Sequence, residues 1–312
     1  HIARKWVSPP YNVDGWRLDV AADLGHSPEY NHYFWKEFYK TVKQANPNAV
    51  VLAEHYGNPR EWLNGKEWDS IMNYDAFMEP VTWFLTGMQK HSDDFREDML
   101  GNADSFWDSM HYNGANMAMP SLYMAMNELS NHDHSRFLTR TNHFVGRTNS
   151  HGPEAANNNV NKAVLREAVV IQMTWPGAPT VYYGDEAGVT GFTDPDNRRT
   201  YPWGREDKEL IRFHKDMIAI HKKNREFLTG SLKYMEGEHN VIGYGRFNKE
   251  GQSAILINNN DYEITKELSV WYLGTPKTGT MKRLILTTWE GYTTEEAEFP
   301  FVSGRVIVRM PR

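Results

Sequence analysis

A chain of 312 residues is long enough for one large α/β domain and a smaller one. Its net charge of −6 and pI of about 6.1 argue against nucleic acid as the main partner, because phosphate binding needs a basic surface. No apolar run approaches the ~18 residues that a membrane span requires, and a chain without cysteine can form neither disulfides nor thiolate metal sites.

Residues 3–7 read as the end of a helix that runs into a Pro9-Pro10 loop. Short apolar runs then recur at 15–20, 49–54, 70–74, 128–133 and 179–184, each closing on polar residues. Longer segments with helical spacing lie between and after them. Residues 30–44 set Tyr33, Phe34, Phe38 and Val42 on one stripe, and 161–174 form a second apolar helix. A third covers 208–227, with Leu210, Ile211, Met217, Ile218 and Phe227 as its buried side chains. Strands alternating with helices predict βα units and a parallel sheet. The acidic run 92–98 reads as a solvated helix start, and the Met-rich stretch 117–126 as core filler. Past Thr229-Gly230 the helical spacing stops. Short alternating segments at 241–247, 253–258, 268–272, 281–287 and 305–309 predict a small antiparallel β domain, read as a sandwich. The stretches 148–161 and 185–203 are too long for plain connections and read as functional loops.

The stretch DGWRLDVA (14–21) places Arg17 and Asp19 on one face of a strand, with Trp16, Leu18 and Val20 on the other. A charged pair inside an apolar strand is costly unless it is paired or used. In a parallel βα barrel, chemistry collects at the carboxyl ends of the strands. Three acids stand at such ends: Asp19, Glu54 after AVVLA, and Asp133 after ELSNH. A structural ion pair explains one of them. Three in succession, with Arg17 and His132 beside them, point to a carboxylate-based active site. His26, His32, His91, His111 and His214 lack metal-ligand spacing and read as surface or satisfied core residues.

These motifs resemble the α-amylase family of glycoside hydrolases, and within it the branch of neopullulanases and amylase–pullulanases. The likeness rests on DGWRLDVA (14–21), VLAEHYG (51–57), LSNHD (129–133) and GAPTVYYGDEAG (177–188), in the family's order. The run DPDNRR (194–199) is a fifth, looser match. The resemblance implies an α/β fold, a (β/α)8 TIM barrel. Residues 1–228 would supply its strands four to eight, and residues 229–312 the antiparallel β-sandwich that follows. It also implies roles. Asp19 would be the nucleophile, and Glu54 the general acid and then the general base. Asp133 would hold the distorted sugar, and Arg17 and His132 would contact the sugar before the cleaved bond. Asp194 and Arg198 would meet the next sugar. An oxocarbenium-like transition state needs an anion beneath the ring and a proton donor above it, and a retaining pair of carboxyl groups stands about 5–5.5 Å apart. Arg17 beside Asp19 favours the charged form of the nucleophile.

Two departures qualify the match. The family's third-strand motif, a strand-end Asp followed by Asn-His, does not occur. The expected partners are therefore an α-glucan and a segment carrying the first three barrel strands, since five strands alone leave open edges. Neither nucleic acid nor a membrane span is expected. No cofactor is required by the implied chemistry, and Ca²⁺ binding in relatives belongs to the portion with the first strands. Second, Ala22 and Asp23 stand where many members carry Lys-His, which leaves His55 and Tyr56 as candidates for the leaving-group side. The expected activity is retaining hydrolysis of α-1,4 or α-1,6 bonds in starch, pullulan or related oligosaccharides. Transfer to a sugar acceptor and an inactive binding subunit are the alternatives.

Overall fold

Five short parallel strands follow one another around a curved sheet in a computed structural model that describes residues 1–312. They are β1 (Gly15–Leu18), β2 (Val50–Ala53), β3 (Ser70–Ile71), β4 (Met126–Glu128) and β5 (Ala178–Thr180). The register sets Arg17 opposite Leu52 and Leu18 opposite Ala53. Met72 bridges to Met126 and joins β3 to β4. A Cβ at Gly15 would lie 2.2 Å from the Val50 carbonyl oxygen, so the close approach of β1 to β2 requires glycine there. Asn73 and Gln172 donate to the Asn127 side-chain and main-chain oxygens at 2.8 and 3.0 Å. These bonds satisfy buried polar groups and tie β3 and β4 to the helix layer.

Helices cover this sheet: α1 (Ile2–Trp6), α2 (Pro28–Ala45), α3 (Glu79–Thr86), α4 (Ala103–Gly114), α5 (Met119–Tyr123), α6 (Phe137–Arg140), α7 (Thr148–His151), α8 (Lys162–Thr174), α9 (Lys208–Lys223) and α10 (Arg225–Thr229). Their starts are legible. Ser27, Asn161 and Asp207 cap α2, α8 and α9 by accepting backbone N–H groups of the first turn. The stripe on α2 is rotated from the expected one. Trp35 and Val42 are buried, Phe38 is partly buried, and Tyr33 and Phe34 are exposed. The Trp35 indole N–H reaches the Ala21 carbonyl at 2.5 Å, which turns that face inward. On α9, Leu210, Phe213, His214 and Met217 are buried while Ile211 and Ile218 are partly so. His214 is satisfied within its own helix by the Leu210 carbonyl at 2.8 Å. Asn224 separates α9 from α10.

Three expectations fail locally. Residues 92–98 form no helix: Ser92 is buried with φ +61°, its hydroxyl donates to Ser135, and Phe95 bridges back to Met88. The Met-rich stretch is only partly core, since Met117 is buried but Met119 is exposed. The fourth strand ends at Glu128, so residues 129–133 are loop rather than strand.

After α10 the chain is antiparallel. Strands β6 (Ser231–Glu238), β7 (Val241–Phe247) and β8 (Gln252–Asn258) form one sheet. Strand β9 (Ile264–Ser269) pairs with β14 (Arg305–Met310), β10 (Gly279–Lys282) with β13 (Glu298–Phe301), and β11 (Leu286–Thr287) with β12 (Tyr292–Thr293). Leu268, Phe301 and Val306 pack against Met235 and Leu256 of the first sheet. Ile242, Tyr244, Ile255 and Ile257 belong to the same core as Phe84, Trp107, Trp175 and Phe213 of the helix layer. Buried Arg246 spans the junction by donating to the carbonyls of Thr174, Phe227 and Gly230.

A cavity of about 790 Å³ lies between α8–α10 and the β sheets. Glu167 on α8 lines it, and its Oε2 has no hydrogen-bond partner. Burial pushes this carboxyl up to about 8. A folded-state value above the unfolded one means that stability is full below pH ~4.5 and falls as pH rises toward about 8. Glu167→Gln should therefore raise Tm by several degrees at pH 8 and leave it unchanged at pH 4, as read by thermal unfolding monitored by circular dichroism. An equal shift at both pH values would contradict the buried-proton account.

Candidate active site

The strand ladder delivers two acids to one level. Asp19 directly follows β1, and Glu54 directly follows β2. The pairing continues past both strands, since Glu54 N–H donates to the Leu18 carbonyl at 2.9 Å and Ala21 N–H to the Glu54 carbonyl at 3.3 Å. Between them Val20 takes a φ of +42°, a strained value for a β-branched residue. That turn aims the Val20 N–H at Glu54 Oε2, 2.9 Å away.

Arg17 sits between the two acids. Its Nη1 donates to Asp19, its Nη2 lies 3.1 Å from Glu54 Oε2, and its Nε lies 3.4 Å from Met72 Sδ. Partial burial works against the Arg17 charge. The bond to Asp19 and the charges of Glu54 and Asp19 outweigh it and hold the guanidinium above its ordinary value. The two carboxylates differ in access: the Asp19 side chain is 77% exposed and that of Glu54 only 11%. One is open to solvent, and the other is recessed.

A second cluster forms around Asp133 in the loop after β4. Its Oδ1 lies 3.6 Å from His132 Nε2 and 3.9 Å from Arg198 Nη2. Arg198 Nε is bonded to Asp194 Oδ1 at 2.5 Å, and Asp194 N–H donates to the Asp133 carbonyl at 3.1 Å. Asp133, His132, Asp194 and Arg198 are thus brought together. Tyr56, two residues past Glu54, links this cluster to the first through its hydroxyl, 3.2 Å from His134 Nε2.

Tyr56 and His55 both have partners within the chain. One face of Tyr56 stacks on Tyr74 at 4.3 Å and 11°, and the Lys90 ammonium stands 4.4 Å from the ring centroid. Tyr56 stays 45% exposed, so part of its ring remains open to solvent beside these contacts. His55 turns its Nε2 toward the Asn58 carbonyl at 3.4 Å and its ring toward Trp68. Burial lowers the pKa of His55.

Several functional neighbours escaped the sequence reading. Asn131 Oδ1 accepts the N–H groups of Asp133 and His134 at 2.9 and 3.0 Å. Burial, and then the charges of His91, Arg140 and Lys90, push His134 down to about 2, so its imidazole stays neutral at all ordinary pH. Fully buried Arg136 donates to Asp185 Oδ1 at 2.9 Å, to the Tyr183 carbonyl at 2.6 Å and to the Asn197 carbonyl at 2.9 Å, with Tyr182 stacked on its guanidinium. Asn197 in turn donates to the carbonyls of Asn131 and His134 at 2.9 and 2.7 Å. These bonds lock the loops after β4 and β5 to each other. The available signal was an arginine followed directly by apolar Phe137 and Leu138. No three His, Asp or Glu side chains converge as metal ligands.

Removing one partner of a buried ion pair strands the other. Arg136→Met should cost about 3–5 kcal/mol in urea unfolding. The double variant with Asp185→Asn should cost less than the sum of the singles, and strict additivity would show that the pair is not coupled.

The sequence pattern of the alpha amylase catalytic domain matches residues 1–232. The amylopullulanase of Thermoanaerobacter thermohydrosulfuricus is 34% identical over 251 residues, which cover 78% of this chain and 16% of that protein. Neopullulanase 2 of Thermoactinomyces vulgaris is 30% identical over 273 residues, covering 86% of this chain and 40% of that protein. Among solved structures, a cyclomaltodextrinase superposes with a TM-score of 0.77 at 26% identity, over 99% of this chain and 45% of that one. The native debranching enzyme of Nostoc punctiforme does so with a TM-score of 0.75 at 25% identity, over 98% and 60%. The chain spans less than two thirds of the length of each of these relatives. The domain match over residues 1–232, together with five parallel strands and acids at their carboxyl ends, establishes that the chain belongs to the α-amylase family, whose catalytic domain is a (β/α)8 barrel.

Proposed function

We propose that this chain carries the catalytic half of a retaining glycoside hydrolase that cleaves α-1,4 or α-1,6 glucosidic bonds in starch, pullulan or their oligosaccharides. The observation that carries the reading is the Arg17 guanidinium held against both Asp19 and Glu54. A cation shared in this way keeps two carboxyl groups within the short separation that a double displacement needs. In the first step the Asp19 carboxylate attacks the anomeric carbon. The bond to the leaving oxygen breaks, and that oxygen takes the proton of Glu54. In the second step the Glu54 carboxylate takes a proton from water, the water oxygen bonds to the anomeric carbon, and Asp19 is released. Asp133, His132 and Arg17 hold the sugar before the cleaved bond, and Asp194 with Arg198 meet the next one. Relatives named amylopullulanase and neopullulanase support the substrate class.

Asp19→Asn should lower kcat by roughly four orders of magnitude or more while leaving Tm nearly unchanged, because the side chain is exposed. NMR of the first-formed product should show retained anomeric configuration. Inversion, or an active Asp19→Asn enzyme, would sink the assignment.

The same reading takes β1–β5 as the fourth to eighth strands of the barrel and the antiparallel strands as a C-terminal sandwich. Its support is the free edge of β1 opposite β2 and of β5 opposite β4, with apolar Val13 and Val181 exposed beside them. The chain expressed alone should bind a hydrophobic dye and elute as oligomers. Co-expression with a segment carrying the three preceding strands should give a monodisperse, active complex. A monomeric and fully active isolated chain would refute this.

A further inference from the structure

Glu128 closes β4 beneath the site and takes no part in the chemistry proposed above. It is 2% exposed, and its hydrogen-bond partner is Asn131, whose Nδ2 donates to Oε1 at 2.7 Å. The same amide also donates to the Tyr74 hydroxyl at 3.3 Å. On its other side, Asn131 Oδ1 receives the N–H groups of Asp133 and His134. Asn131 is thus an adaptor with an acceptor toward the turn that carries Asp133 and a donor toward the floor. Rotating the amide by 180° would set its NH2 against two backbone N–H donors and its oxygen against the Glu128 acceptor. The two backbone N–H groups and the Glu128 oxygen together make the observed orientation the satisfied one, and the Glu128 oxygen is what receives its donor side.

The geometry points to Glu128 as a positioning residue, whose carboxyl fixes the Asn131 amide and, through it, the turn that presents Asp133 to the bound sugar. This rests on the proposed role of Asp133. A neutral carboxyl suits the task. The charged and titratable groups facing Glu128 are Arg17 from β1, Tyr74 from the π-helical turn Tyr74–Met78, Asp133 from its own loop, Asp185 after β5 and Arg140 from α6. Burial dominates over them and pushes Glu128 up to about 8. The proton it keeps at neutral pH spares the site a fourth negative charge beside Asp133, while its other oxygen still accepts from Asn131. An apolar residue would spare the charge but leave the Asn131 donor with only the long Tyr74 contact.

The test uses the protein with its complete barrel and a chromogenic maltooligosaccharide. Glu128→Leu should lower kcat about ten-fold or more with KM within two-fold. Glu128→Gln, which keeps both neutrality and the acceptor, should stay within about three-fold of the parent kcat near pH 6.5. Glu128→Asn, one methylene too short to reach Asn131, should follow Glu128→Leu and serves if the leucine variant fails to fold. A kcat within two-fold of the parent for either truncating variant, or Gln as impaired as Leu, would overturn the inference. Asp19→Asn run alongside separates the two claims. If it is active, the proposed chemistry fails; if it is inactive while the Glu128 variants are normal, only the positioning role fails.

Discussion

One guanidinium between two carboxylates is the contact on which the site depends. Two unit charges about 5 Å apart repel by roughly 3 kcal/mol at an effective dielectric of 20. Arg17 lies against both Asp19 and Glu54 and offsets such repulsion whenever both are ionised. The placement is a matter of register. Arg17 pairs with Leu52 and Leu18 with Ala53, so the residues after the two strands arrive side by side. A slip of one residue would turn Arg17 to the other face and separate the acids. The strained Val20 turn is the local expense of that arrangement, and its N–H bond to Glu54 is the return.

Beneath this contact three buried side chains carry no free charge. His134 is held neutral, Glu128 keeps its proton near neutral pH, and the charge of Arg136 is met by Asp185. Each of these groups is buried, where an uncompensated charge would act strongly across a few ångströms. The charges left at the mouth of the site are those of Arg17, Arg198 and the four acids Asp19, Glu54, Asp133 and Asp194. The acids themselves differ in access and partner: Asp19 is open, Glu54 recessed, and Asp133 lies between His132 and Arg198.

The acids were legible because each stands at the end of an apolar run, and such runs survive in sequence as contrast between neighbours. The Arg17–Asp19 pair was legible for the same reason, since alternation along a strand fixes which residues share a face. Helix existence was legible too, but helix facing was not. Tyr33 and Phe34 on α2 are as apolar as Trp35, and only the Trp35 bond to Ala21 decides which ring goes inside. The floor was hidden for a different reason. Asn197 and Arg136 work through main-chain carbonyls far away in sequence, and Asn131 through a local turn in a loop, and no periodicity encodes those partners. Strand β6 was missed because its exposed polar face, SLKYMEGE, shows little apolar alternation. Tyr56 was ambiguous from sequence because the share of an aromatic ring left open is set by tertiary neighbours, here Tyr74 and Lys90 beside a residue that stays 45% exposed.

The antiparallel strands matter to a site that they do not touch. Helix α8 leads into β5, and the segment after β5 carries Tyr182, Tyr183 and Asp185, the partners of Arg136. Val169, Ile171 and Met173 of α8 lie in one core with Ile242, Tyr244 and Ile257 of β7 and β8, and Thr174 at its end is bonded to the Tyr244 hydroxyl at 2.6 Å. Arg246 adds a bond to the Thr174 carbonyl and two more to the chain around α10. The C-terminal sheet therefore fixes the end of α8, α8 fixes β5, and the loop after β5 fixes Arg136 and with it the turn that carries Asp133. Burying an apolar helix face against a sheet is worth roughly 25 cal/mol per Å². That energy is spent at the back of the molecule and expressed as order at its front.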